Sequence, residues 1–130
     1  MINKIVFVIG LPGSGKTYFV NSQKDGFVLD DPKNFHQINH AINECNRLNL
    51  SILYVTDPHF CDKMVLVAAI KIFKKLLKID DFDFIYFENN PEQCLINAKN
   101  RNDGRKVDGM IKYLSKIYQP INPIPVYKGV

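Results

Sequence analysis

The stretch Lys4-Ile-Val-Phe-Val-Ile-Gly-Leu-Pro-Gly-Ser-Gly-Lys-Thr17 constrains this chain more than any other. An apolar run, Ile5 to Ile9, is too short for a buried helix and reads as a buried strand. It runs straight into Gly10-Leu11-Pro12-Gly13-Ser14-Gly15-Lys16-Thr17, which fits the phosphate-binding pattern G-x-x-x-x-G-K-[ST]. Gly10, Gly13 and Gly15 are expected to let the backbone take positive φ and approach an anion closely. Successive N–H groups then form a concave nest, and a helix starting near Gly15 adds the positive end of its dipole. Lys16 places a point charge at the β- and γ-phosphates of a nucleoside triphosphate, and the Thr17 hydroxyl can ligate Mg²⁺. The plainer alternative is a ligand-free strand-to-helix turn, but the strand–loop–helix context favours phosphate.

The rest of the chain alternates short apolar runs with amphipathic stretches. Tyr18 to Lys24 reads as a first helix, stopped by Asp25-Gly26. Phe27-Val-Leu29 reads as a second strand, ending at Asp30-Asp31 because Pro32 cannot continue a central strand. Phe35, Ile38, Ile42 and Cys45 mark a helix over 33–48, and Ser51–Thr56 a third strand ended by Asp57-Pro58. The longest helix is expected over 62–78, with Val65, Ala69, Ile72, Phe73, Leu76 and Leu77 as its buried stripe. A fourth strand over 82–87 leads to Asn89-Asn90-Pro91, which starts a helix running to about Asn100. A polar, basic loop over about 99–107 precedes a last helix over 108–118, and the proline-rich tail 120–130 is extended, with Ile124 to Tyr127 suited to a sheet edge. Strands alternating with helices predict an α/β fold: a four- or five-stranded, mainly parallel sheet with helices on both faces, in one domain spanning 1–130.

Composition narrows the class further. A chain of 130 residues can bury one core, and the formal charge of +4 permits a polyanionic partner without requiring one. Cys45, Cys61 and Cys94 are odd in number and lack metal-ligand spacing, so they read as reduced thiols of a cytoplasmic protein. The N-terminal apolar run flows into the glycine loop and is expected to be a core strand, not a leader; no stretch is long enough to span a bilayer.

Ligands of such sheets bind beyond the carboxyl ends of the strands, where the candidate residues fall. Asp30 and Asp31 are placed to take the proton of a hydroxyl acceptor, against the plainer reading of an Asx turn before Pro32. Asp57 suits a carboxylate that holds Mg²⁺ through water, or again a turn residue before proline. Two of the chain's three arginines, Arg101 and Arg105, share the basic loop, which can close over a triphosphate and neutralise charge building on the transferred group. His36 and His40 stand four apart, yet with no further ligand set they read as surface histidines.

On these residues the chain resembles the P-loop kinases, most closely the kinase domains of phage polynucleotide 5′-hydroxyl kinases. The likeness covers most of the chain and is carried by Ile5–Thr17, by Gly26-Phe27 leading to Asp30-Asp31, and by the C-terminal part. That part comprises Arg101-Asn-Asp-Gly-Arg-Lys106, Ile111 to Tyr118, and Pro125-Val-Tyr-Lys-Gly129, and as a whole it is the more specific signal. The resemblance implies a three-layer P-loop kinase fold, ATP or GTP with Mg²⁺ as cofactors, Asp30 as general base, and Arg101 or Arg105 as the lid arginine that stabilises the transition state. It also maps the aspartate after strand three to Asp57. The acceptor it implies is the 5′-end of a polynucleotide, including single-stranded nucleic acid. Two departures weaken that acceptor: Leu29, not a basic residue, precedes the paired aspartates, and the segment between strands two and three is shorter than in the family. A small-molecule kinase acting on a nucleoside or metabolite, and a nucleotide-binding regulatory module with little turnover, therefore remain alternatives.

Overall fold

A computed structural model describes residues 1–128. Its first strand, β1 (Lys4–Ile9), is buried from Ile5 to Ile9 and occupies an interior position in the sheet. There follow α1 (Lys16–Ser22), β2 (Gly26–Asp30), α2 (Phe35–Arg47) and β3 (Ile52–Thr56). A 3₁₀ turn (Pro58–Cys61) then leads into α3 (Lys63–Leu77), β4 (Phe82–Tyr86), α4 (Pro91–Arg101) and α5 (Asp108–Ser115). The sheet order is β2-β3-β1-β4 and every pairing is parallel, so each connection crosses over through a helix. The expected α/β architecture is thus present with four strands. Near a fifth position, Ile124 of the tail makes an isolated parallel bridge to Phe87, just past β4. Gly129, which ends the expected tail motif, lies outside the described residues.

Strand alternation divides the core into two layers. On one face Ile5, Phe7, Ile9, Leu53 and Val55 pack with Ala41 and Cys45 of α2, Leu66 and Phe73 of α3, and Ile111 and Leu114 of α5. On the other, Val6, Val8 and Tyr54 meet Val20 of α1. Phe7 anchors the larger layer, with Phe60 and Phe73 edge-on at 5.5 and 5.9 Å and Phe84 stacked at 5.7 Å. The packing bears out Ala69, Phe73 and Leu77 of the expected α3 stripe and corrects the rest. Leu66 and Phe73 face the sheet, whereas Val65, Ile72 and Leu76 lie exposed. The helix carries two apolar stripes one residue out of phase, and contact with Phe7 selects the one containing Phe73.

Boundaries also shift where capping decides them. The Asn34, Asp62 and Asn90 side chains accept from Gln37, Met64 and Gln93 N–H, fixing the starts of α2, α3 and α4. At the other end of α4, Arg101 is still helical and Asn102 caps in a left-handed conformation, φ 49°. The basic loop expected over 99–107 is therefore shorter, with Lys99 and Arg101 in the last helical turn, where cations are favoured. Among the described residues no helix is long and apolar enough to cross a membrane.

Candidate functional site

Parallel pairing brings the carboxyl ends of all four strands to one edge: Val8 and Asp30 are both register partners of Thr56, and Ile9 of Tyr86. A cavity of about 1280 Å³ opens there. Its lining joins segments far apart in sequence: the loop residues Pro12, Gly13, Gly15, Lys16 and Thr17, then Asp30 and Asp31, then Arg101 and Arg105. Such a volume exceeds the several hundred Å³ typical of a single small ligand.

The glycine loop is held by its own backbone and by the tail. Gly13 (φ 83°) and Gly15 (φ 103°) have the expected left-handed conformations, but Gly10 does not. Glycine is required at position 10 for space instead, because a Cβ there would lie 2.5 Å from Ser14 Oγ and 3.0 Å from Phe87 Cβ. Leu11 O accepts from Ser14 N–H at 3.1 Å and from Lys16 Nζ at 2.9 Å. Ser14 and Leu11 are fully buried, and Ser14 Oγ and Thr56 Oγ1 have no hydrogen-bond partner.

Lys16 is buried, and its hydrogen-bond partner is a neutral carbonyl. Burial lowers its pKa from the usual 10.5 to about 8, a shift only partly opposed by the fields of Cys61, Cys94, Asp30 and Asp57. A desolvated ammonium bonded to a neutral group at the mouth of a cavity suits an anion such as phosphate.

The sequence candidates fall into two groups. Thr17 Oγ1 donates to Asp30 Oδ2 at 3.3 Å, which puts the hydroxyl at the start of α1 and the strand-end carboxylate side by side. Asp31, which also lines the cavity, takes φ 50°, pairs with Lys33 at 2.8 Å and gives its N–H to Thr56 O at 2.7 Å, so it serves the turn before Pro32. Asp57 stands in a different cluster. Its Oδ1 accepts from His59 N–H at 2.9 Å and lies 2.8 Å from His59 Nδ1, and one ligand atom each from Asp31, Asp57 and His59 lie within 4.8 Å of one another. Thr17 and Asp57 are hard oxygen donors of the kind Mg²⁺ takes, though they belong to separate contact groups.

Several site residues were not legible in the sequence. His36 and His40 are exposed, as expected of surface histidines, yet they line the cavity together with Gln37, Phe27, Val107 and Met110. Asn97 ties two distant segments: its Nδ2 donates to Gly13 O at 2.9 Å and to Tyr127 O. Tyr127 in turn stacks on Tyr18 at 4.8 Å and donates its N–H to Ser14 O at 3.0 Å. A polar residue on a helix flank gives no local sign of such a bridge. The three cysteines are free and buried, and burial raises the thiols of Cys61 and Cys94 to about 12 and 11, so they are not nucleophiles at neutral pH.

No protein-family model matches the chain. Over 114 residues it is 39% identical to an uncharacterized protein of Acanthamoeba polyphaga mimivirus, an alignment covering 82% of this chain and 78% of the viral one.

Proposed function

We propose that this chain, which belongs to one family with that mimivirus protein, is an ATP-dependent kinase of the P-loop class that transfers the γ-phosphate to a hydroxyl acceptor, with the 5′-hydroxyl of a polynucleotide as the leading acceptor. The relative is uncharacterized and assigns no chemistry, so the reading rests on the site. The observation that carries it is the meeting of Lys16, Thr17, Asp30, Arg101 and Arg105 around one cavity large enough for two substrates.

In this reading Gly10 to Thr17 cradle the β- and γ-phosphates, and Lys16 exchanges its neutral carbonyl partner for a phosphate oxygen. Thr17 would hold Mg²⁺ directly and Asp57 through water; when bound, the ion neutralises phosphate charge and orients the triphosphate. Asp30 accepts a hydrogen bond from the acceptor hydroxyl, holds it in line and receives its proton as the bond to the γ-phosphorus forms and the β–γ bridging bond breaks, releasing ADP. Arg101 and Arg105 offset the charge that gathers on the transferred oxygens. The α2 wall takes the acceptor. Its cations are sparse, since Lys33 is paired with Asp31, and this favours a nucleoside or other small acceptor as the second reading.

The deciding experiment transfers labelled γ-phosphate to a 5′-hydroxyl oligonucleotide and to a panel of nucleosides. Wild type should label at least one. Asp30→Asn, equal in shape, should bind ATP normally and lose nearly all transfer, while Asp31→Asn retains most of it. A fully active Asp30→Asn beside a dead Asp31→Asn would exchange their roles, and two fully active variants would end the mechanism.

A further inference from the structure

Arg101 closes α4, and the turn after it folds Arg105 back to the same carboxylate. Asn102 (φ 49°) and Gly104 (φ 79°) take left-handed conformations on either side of Asp103. Asp103 Oδ1 accepts the Arg105 backbone N–H at 3.1 Å, which shapes the turn. Its Oδ2 accepts from Arg105 Nε at 2.9 Å and lies 3.7 Å from Arg101 Nε. Both arginines line the cavity that holds Lys16 and Thr17. Asp103 is also the sole acidic residue of the stretch 99–107, which otherwise carries Lys99, Arg101, Arg105 and Lys106. One oxygen shared between two guanidinium groups has the charge and the hydrogen-bonding capacity of a phosphate oxygen.

We propose that Asp103 is a built-in stand-in for the triphosphate: its Oδ2 gathers Arg101 and Arg105 into a pair at the cavity rim and yields them to an incoming phosphate oxygen. The inference rests on the triphosphate reading of the site. Asp103 is a positioning residue, since it acts through the two arginines. Its two oxygens divide the work, Oδ1 holding the turn and Oδ2 competing with phosphate. The cost of this competition is modest, because exposed ion pairs are individually weak. Its effect is to keep two like charges together, Arg105 by a hydrogen bond and Arg101 by charge alone, so that a triphosphate meets a paired site.

Asp103→Asn separates these roles. The amide oxygen still accepts the Arg105 N–H, while the amide NH₂ replaces the anionic oxygen and releases both guanidinium groups. Calorimetric titration with Mg·ATP, and with tripolyphosphate as a probe without a base, should show about 3-fold to 10-fold tighter binding than wild type, the size expected for freeing two exposed ion pairs. The gain should vanish in an Arg101→Ala/Arg105→Ala background, as a double-mutant cycle requires when the effect passes through those residues. The turn is exposed, so thermal unfolding should be unchanged and serves as the folding control. Equal or weaker binding by Asp103→Asn overturns the stand-in and leaves the kinase reading untouched. A gain that persists without the arginines overturns it as well, reducing the effect to net charge. A wild type that binds neither ligand overturns both readings.

Discussion

Lys16 shows how burial turns a residue into a sensor of its ligand. Its charge is disfavoured by the surrounding protein, and an anionic ligand restores it, so binding takes up a proton wherever the free site is deprotonated. The sign follows directly. Below pH about 8 Lys16 is already charged and affinity for a triphosphate is at its full value. As pH rises above that value affinity falls, by at most about tenfold per unit, until the higher pKa of the complex is reached. Titrations of Mg·ATP between roughly pH 7.5 and 9.5 should show this decline in wild type. Lys16→Met should bind weakly throughout and lack the slope; equal affinity in the two proteins would make the loop structural. The place of Lys16 in the loop was legible because its neighbours in sequence are its neighbours in space. The role of Gly10 is one of space, set first by Ser14 within the loop and then by Phe87, a residue of another segment that the local pattern does not show.

At the scale of elements, the end of α4 and the turn after it carry the two candidate lid arginines on two kinds of support. Arg101 sits on the last turn of a helix, and Arg105 sits in a turn held by Asp103. Both reach the cavity rim, and charge developing on a transferred phosphoryl group is stabilised by such donors far more than the ground state is. Arg101→Ala and Arg105→Ala should each leave ATP binding within a few-fold of wild type, and one of them should lower turnover by on the order of 10²-fold or more. Steady-state kinetics with a saturating acceptor identifies the transition-state arginine as the one with the larger loss in kcat, and wild-type rates in both variants would remove the lid from the mechanism. The same scale explains why Val65, Ile72 and Leu76, expected in the buried stripe of α3 beside Phe73 and Leu77, are exposed. Val65, Ala69, Ile72 and Leu76 repeat at helical spacing as well as Leu66, Ile70, Phe73 and Leu77 do. Periodicity alone cannot choose between two stripes about 100° apart on the helix.

Across the whole molecule, the C-terminal segment returns to the place where the chain began. Ile124 N–H donates to Tyr86 O at 2.8 Å, Val126 N–H to Glu88 Oε1 at 3.0 Å, and Tyr127 N–H to Ser14 O at 3.0 Å. The buried Tyr118 hydroxyl donates to Ile9 O at 3.1 Å and to Phe87 O, clamping the segment after α5 to the base of the loop. Asn97 completes the tie by bonding Gly13 and Tyr127 together. Asn97→Ala removes the donor shared by two backbone carbonyls, a loss of about 1–3 kcal/mol where such groups are screened from water. It should weaken Mg·ATP binding by about tenfold, because the loop loses its lateral support, while circular dichroism stays native. Unchanged affinity would show that the loop holds its shape without the tail.

The order and type of the elements were determined by the sequence alone, as was the contiguous loop from Gly10 to Thr17. These depend on interactions between residues a few positions apart: alternation, helical spacing, capping and turn chemistry. Asp30 at the end of β2, beside that loop, also followed from the parallel βαβ pattern. What only the tertiary structure decided were contacts closed across long stretches of chain. Among them are the apolar stripe of α3 that faces Phe7, the α2 wall with His36 and His40, the grouping of Asp57 with Asp31 and His59, and the bridge from Gly13 through Asn97 to Tyr127. Each joins elements whose local patterns are satisfied in more than one arrangement, and the choice is made by packing and by which buried polar groups find partners.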